Sequence, residues 1–423
     1  MNPSLAFHSP EAIRNEQERL LRKQIEYVAA HSPFYKKLFS DNQIDPRTIQ
    51  SLEDLKRIPT TSKDDFANNN ELFLAVSNLQ IIDWCTTSGT TGNPVMVGLT
   101  ENDLQRLAHN EYLSFLTAEL TQNDCVQLML TLDKQFMAGM AYYLGLRKIG
   151  CGIVRSGPGT PAAQIDIIKR HKVNVLVAVP SFLLKIISFA QGTGIDLNSL
   201  GVEKIICIGE AVRNDDLSPN ILATKITDQW NVKLYGTFAS TEMQTAFTED
   251  IHGDGYFLQP ELLYAEILDD NNNEVAQGET GELTITHFGL EGTPLLRYRT
   301  GDICRKLSFQ SKSGRNSLKI GPVIGRKNQL IKLNGTTLYP NAIIQTLKEY
   351  DLDDFLVVVE KSAVQTDEVK ILITSSKAVN YELMIQQLQN RLRVKPVIIH
   401  ATKSELDALR PRESRKLIQV IFR

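Results

Sequence analysis

The strongest constraint on the fold lies between about Cys125 and Tyr235, where short β-branched runs alternate with stretches of helical period. The runs are Val126 to Leu130, Val173 to Val179, Ile205 to Ile208 and Val232 to Tyr235; helical patterns fall between them at Ala162 to Arg170, Ser181 to Ala190 and Asn214 to Trp230. Parallel neighbours need a long crossover, usually a helix, so this alternation predicts an α/β sheet. Upstream, Ser9-Pro10-Glu11 reads as an N-cap, a first-position proline and an early acid, opening a helix to about Ala30. A polar, hinge-like stretch, Asp41 to Thr61, follows.

After Tyr235 the period changes to strand and turn: Leu262 to Leu268, the turn-rich Asp269 to Gly278, then Gly281 to His287. This predicts a β-rich subdomain. Beyond Gly325 the pattern resets, with strand Leu330 to Leu333, helix Pro340 to Tyr350, strands Phe355 to Val359 and Val369 to Thr374, helix Tyr381 to Arg391 and strand Pro396 to Ile399. At 423 residues the chain exceeds the roughly 250 to 300 at which single cores stop growing. Two domains are therefore expected, 1–325 and 329–423.

Several function classes drop out on composition. A net charge of -3 with no long basic stripe argues against nucleic acid. No run approaches the roughly 20 apolar residues that span a bilayer, and the polar start Met1 to Arg14 is unlike a secretory signal, so the expectation is a cytoplasmic protein with no membrane partner. Cys85, Cys125, Cys151, Cys207 and Cys304 lie far apart with no C-x-x-C pair, which disfavours a zinc cage or disulfide framework. One local bias stands out: Arg391 to Arg423 holds nine Lys or Arg against Glu405, Asp407 and Glu413. It reads as a solvated surface or as a face for a phosphate-bearing or acidic partner.

The sharpest chemical signal is Thr86-Thr87-Ser88-Gly89-Thr90-Thr91-Gly92-Asn93-Pro94. Glycines let a loop fold tightly and expose successive N–H groups, and hydroxyls add donors that can wrap a polyphosphate. The Gly-Lys-Ser/Thr ending of the Walker type is missing. By itself the loop fits an ordinary Ser/Thr/Gly surface turn as well as a phosphate site.

This loop resembles the Ser/Thr-Ser-Gly-Thr-Thr-Gly-x-Pro signature of the adenylate-forming (AMP-binding) superfamily. Pro33-Phe34-Tyr35 and Pro294-Leu295-Leu296-Arg297-Tyr298-Arg299-Thr300-Gly301-Asp302 are most similar to its phenylacetate-CoA ligase branch. The resemblance implies a large multi-layer N-terminal adenylation domain and a small mobile α+β C-terminal domain. It also implies a function: ATP-dependent conversion of an aryl or arylalkyl carboxylic acid to its acyl-adenylate, then transfer to coenzyme A. Transfer to the phosphopantetheine of an acyl carrier protein is the alternative, and an adenylyltransferase or an ATP-binding pseudoenzyme are further readings. A homodimer stays open beside a monomer.

Residue roles follow by the same resemblance. Thr87, Ser88, Gly89, Thr90, Thr91 and Gly92 would bind the nucleotide phosphates; Gly209-Glu210 would contact adenine; Asp302 and Arg326 would reach the ribose. Tyr235 to Glu242 matches a Tyr-Gly-x-Thr-Glu motif in two registers, with either Tyr235-Gly236 or the ungapped Phe238 at its start, Tyr235 being taken as the adenine-stacking aromatic. Both registers place Thr241 near the phosphates and Glu242 as the magnesium ligand, a single carboxylate suiting a hydrated ion. Lys416 falls in the catalytic lysine's place, where a cation at the α-phosphate is worth roughly 3 to 4 kcal/mol by analogy with other electrostatic sites. Phe136, Met137, Gly139 and Tyr142 fall where the branch lines its acyl pocket, although aromatics at this spacing also suit a core. Asn93, Asn328 and Arg415 depart from the family's usual lysine, Asp or Lys, and glycine.

Overall fold

The computed structural model describes residues 4–87, 95–309, 311–333, 336–361, 367–392, 397–410 and 418–423. Their contacts divide them into two compact units: the larger reaches to Pro322 without Gly301–Ile303, and the smaller holds those three residues and the chain from Val323.

The larger unit is built on an eight-stranded sheet in the order Lys319–Ile320, Tyr256–Phe257, Thr245–Thr248, Lys233–Ser240, Lys204–Cys207, Val175–Ala178, Cys125–Leu128, Gly152–Arg155. Its last five strands are parallel. The central strand shows why the β-branched runs read as unbroken: Val175 and Val177 enter one apolar core while Leu176 and Ala178 enter the other, on the opposite face. A strand covered by helices on both faces has no polar side. The covering helices include Met137–Ile149, Pro161–His171 and Pro180–Thr193, the last two within a few residues of the expected spans. Met137–Ile149 stops at Gly150, whose φ of +85° closes it in the left-handed region.

Two expectations are corrected here. Only Ile221–Thr227 of the stretch Asn214 to Trp230 is helical, because Pro219 disfavours helix before it and Asn220 caps the start, its side chain accepting from Ala223 N–H at 3.0 Å. Asp41 to Thr61 is not hinge-like: Ile49, Leu55 and Ile58 are buried in the core. Periodicity also fails to mark the helix Glu101–Thr117, which is opened by a capping box of Thr100 and Asp103.

A second sheet places Leu263–Leu268 antiparallel to Thr280–His287, followed by Tyr298–Arg305. Against this β-rich region packs the first long helix, Pro10–His31, capped by Ser9 as expected. Its buried Gln17 and Gln24 donate to the carbonyls of Pro260 (3.1 Å) and Leu290 (3.0 Å).

The smaller unit has its own sheet, ordered Val397–His400, Glu368–Thr374, Asp354–Glu360, Val420–Phe422. The helices Pro340–Lys348 and Tyr381–Leu392 help to close a core of Ile343, Leu347, Val357, Ile371, Met384 and Leu388. None of the five cysteines forms a disulfide, and Cys85, Cys207 and Cys304 are buried. Among the described residues no helix is long and apolar enough to cross a membrane.

Candidate active site

In parallel sheets ligands gather at the carboxyl ends of the strands. Here Cys207 pairs with Gly236, so the segments leaving those ends, 208–210 and 237–242, emerge side by side. Gly209 is exposed with φ +74°, a turn conformation open to glycine at no steric cost. Glu210 is half-buried and accepts the Ser181 N–H at 2.8 Å, placing a carboxylate at the N-terminus of the helix Pro180–Thr193, where the free amides favour negative charge.

Tyr235, expected as the adenine-stacking aromatic, is not available for that contact. Its ring is 1% exposed within the core, and its hydroxyl donates to Glu119 at 2.6 Å. Phe238, three residues along the same strand, is half-buried with its ring 6.0 Å from that of Phe247, which favours the ungapped register. Gly236 is dictated by packing: a Cβ there would lie 2.7 Å from the Tyr256 hydroxyl.

Thr241 and Glu242 stand on the turn that follows this strand, both half-buried. The turn is held from behind. Arg106, buried on the helix Glu101–Thr117, donates to the carbonyls of Gln244 (3.1 Å), Phe288 (2.7 Å) and Leu262, and burial pulls its pKa down to about 10. His287 accepts the Leu295 N–H on Nδ1 at 3.0 Å and lies 2.9 Å from the Met243 carbonyl through Nε2, an arrangement that suits the neutral Nε2–H tautomer. Burial holds its pKa well below the ordinary histidine range. The Glu242 carboxylate lies 3.7 Å from Lys63 Nζ, with side-chain exposures of 13% and 27%. Among the described residues no group of three or more His, Cys, Asp or Glu could cage a metal. An ion at Glu242 would rest on one carboxylate plus ligand and water oxygens, which fits magnesium better than calcium or zinc.

Of the expected phosphate loop, Thr86 to Pro94, the residues Ser88 to Pro94 lie outside the described residues, and so does Lys416 with Arg415. The neck of the loop is described. Thr87 N–H donates to Val95 O and Val95 N–H donates to the Thr87 hydroxyl, both at 3.0 Å, while the Asn70 amide bridges the N–H and carbonyl of Met96, both at 2.8 Å.

In the smaller unit, Asp302 and Arg326 are brought together. The strand pair Asp302↔Arg326 sets them opposite one another, and Arg326 Nε donates to Asp302 Oδ1 at 3.2 Å. Asp302 is 4% exposed, whereas the Arg326 side chain is 40% exposed. Gly325 beside it is obligatory, since a Cβ would lie 2.4 Å from the Tyr339 ring. Asn328 is exposed in the short turn Lys327–Gln329.

The expected acyl-pocket residues fall mostly into the core. Met137 and Tyr142 are 5% and 2% exposed, Tyr142 hydrogen-bonding Thr237 and packing on Phe115 at 5.7 Å. Gly139 is pressed on the backbone, where a Cβ would lie 2.2 Å from Thr131 O. Phe136 is half-buried. Lys63, Arg106 and His287 were not foreseeable as site neighbours from periodicity; only the Ser62-Lys63-Asp64-Asp65 capping box carries a local signal.

Residues 18–290 match the model of the AMP-binding enzyme family, and the chain belongs to that family. Within it, the protein is an enzyme of the adenylate-forming superfamily's phenylacetate-CoA ligase-like branch. It is 26% identical to the phenylacetate-coenzyme A ligase of Thermus thermophilus over 98% of this chain and 92% of the other. The Pseudomonas putida phenylacetate-coenzyme A ligase is 27% identical over 79% of this chain and 75% of its own. The fold superposes on 2-hydroxyisobutyryl-CoA ligase in its postadenylation state with a TM-score of 0.81, at 19% identity, covering 98% of this chain and 89% of that one.

Proposed function

We propose that the protein is an AMP-forming acid–thiol ligase that activates a carboxylic acid as its acyl-adenylate and passes the acyl group to coenzyme A, working in the cytoplasm. The observation that carries this reading is the Asp302–Arg326 pair, which joins two segments expected at the ATP ribose. The similarity to phenylacetate-coenzyme A ligase over nearly the whole chain supports it and favours an aryl or arylalkyl acid.

The carboxylate attacks the α-phosphorus of ATP, the bond to pyrophosphate breaks, and a thiol then displaces AMP from the mixed anhydride. A magnesium ion held by Glu242 would neutralise charge on the nucleotide oxygens. Thr87 to Gly92 and Thr241 bind phosphate oxygens, Asp302 accepts from the ribose hydroxyls, and Phe238 replaces Tyr235 as the aromatic beside adenine. Lys416, on a C-terminal domain of 329–423, stabilises charge at the α-phosphate in the first step only.

The test is pyrophosphate release over a panel of carboxylic acids, with coenzyme A or a carrier protein as acceptor. Arylacetates with coenzyme A are expected to turn over best. ATP binding without pyrophosphate release would indicate a pseudoenzyme, and AMP retained on the product an adenylyltransferase. Lys416→Ala is expected to lose adenylation by roughly two orders of magnitude or more while still converting supplied acyl-adenylate to thioester; equal loss of both steps would remove Lys416 from its role.

A further inference from the structure

We infer that the surface around residues 77–83 is a two-fold interface between copies of this chain, an inference independent of the reaction read above. Single exposed apolar side chains are ordinary on a protein surface, whereas a cluster of them marks a contact. Eleven large apolar side chains are exposed among the described residues, and four of them, Leu72, Leu79, Ile82 and Met96, gather here. Leu79 and Ile82 project furthest, at 96% and 62% exposure, and make residues 77–83 a ridge. Two grooves adjoin it. One, of about 450 Å³, is lined by Pro33, Glu71, Leu74, Val76, Trp84 and Met96. The other, of about 660 Å³, is lined by Ile82, Asp83, Glu101, Leu104, Arg147 and Lys148 among others.

The ridge is held stiffly. Ser77 and Gln80 form a reciprocal capping box around the turn Asn78–Gln80, and Ile82 N–H donates to Leu99 O at 2.8 Å. Ile81 and Trp84 lie on Gly98, where a Cβ would be 2.8 Å from Ile81 Cδ1 and 3.2 Å from the Trp84 ring. Leu79 and Ile82 are thus presented to solvent from a fixed backbone, which lowers the ordering cost of a contact made through them. A two-fold interface uses the same patch on both partners, so the patch must carry its own complement. This one does so in shape and in charge. The projecting Leu79 and Ile82 of one copy have apolar-walled grooves to enter on the other. The larger groove holds two carboxylates, Asp83 and Glu101, and two cations, Arg147 and Lys148, so its charges sum to zero and each acid can meet a base of the second copy. A partner of one sign would be repelled by half of these groups, which favours a second copy as the occupant.

Sedimentation velocity of the full chain over a range of protein concentrations, without substrates, reads this directly. The parent is expected to dimerise with a dissociation constant on the order of micromolar or tighter. Leu79→Asp is expected to raise that constant roughly thirtyfold or more, because the interface contains each change twice. Ile251→Asp, at an exposed apolar residue that lines neither groove, is expected to leave it within about twofold. Acrylamide quenching gives a second reading: Trp84 is half-buried at the smaller groove and the other tryptophan, Trp230, is 1% exposed, so quenching falls as the dimer forms. The charge pairing is read by mixing. Arg147→Glu/Lys148→Glu and Asp83→Lys/Glu101→Lys are each expected to be monomeric alone and to dimerise together. Should Leu79→Asp not fold, Leu79→Ser carries the same comparison. A parent that stays monomeric at every concentration, as it would if this face served another protein or none, overturns the inference. So does a dimer that Leu79→Asp leaves intact, or a mixture that associates no better than its parts.

Discussion

Glu111 is a carboxyl group buried on the helix Glu101–Thr117 with the Asn110 amide on one oxygen at 3.0 Å, and burial pushes its pKa up to about 8. A folded-state pKa above the unfolded 4.5 means that its stabilising contribution is complete below pH 4.5 and is lost as pH rises toward 8. Glu111→Gln keeps the acceptor and removes the titration. It is expected to stabilise the protein by a few kcal/mol at pH 8, since each pH unit between the two pKa values contributes about 1.4 kcal/mol, with the gain vanishing toward pH 4.5. Thermal melts of both proteins across that range check it; a pH-independent offset would contradict it. Single residues were also where the sequence was least legible. The Gly/Thr loop stands out by its composition, whereas Glu242, Asp302 and Arg326 were named only through the family resemblance, since a carboxylate or guanidinium at a turn or strand end is ordinary by itself. Tyr235 misleads because an aromatic at a strand end looks the same whether its ring faces a ligand or, as here, a core.

At the level of elements, two glycines in helices give opposite expectations. Alanine is intrinsically better than glycine in a helix by roughly 1 kcal/mol. At Gly192, in Pro180–Thr193, a Cβ meets nothing within 4 Å, so Gly192→Ala is expected to stabilise by up to about that amount. At Gly139 the Cβ would meet Thr131 O at 2.2 Å, and backbone cannot give way cheaply, so Gly139→Ala is expected to cost about 1 to 3 kcal/mol. Urea unfolding of the two variants beside the parent tests the contrast. The elements themselves were legible where burial is purely apolar, as in Val175–Ala178 and Pro180–Thr193. Glu101–Thr117 was hidden because its buried face carries Asp103, Arg106, Asn110, Glu111 and Ser114, which interrupt the apolar period that a sequence reading follows. The stretch before Thr61 deceived for the converse reason: its few apolar residues are all inward, and the polar ones between them suggested a linker.

For the whole molecule, the two compact units are expected to melt separately. The smaller unit's core is complete in itself, and Leu347 within it is fully buried. Leu347→Ala is expected to lower one calorimetric transition by about 2 to 5 kcal/mol and leave the other in place; a uniform shift of a single transition would contradict this. The hydrogen bonds of the first helix reach further still. Gln17 and Gln24 find their acceptors 243 and 266 residues downstream, and Tyr35 receives the Leu296 N–H 261 residues away. At roughly 5 to 20 residues per second of synthesis, these three hydrogen bonds wait on the order of 12 to 50 seconds for their far partners to leave the ribosome, whereas the apolar residues Leu21, Ile25 and Val28 share a core with Tyr35, Phe39 and Ile49 close by in sequence. The buried amides of Gln17 and Gln24 are thus satisfied long after the apolar residues beside them have neighbours to pack on.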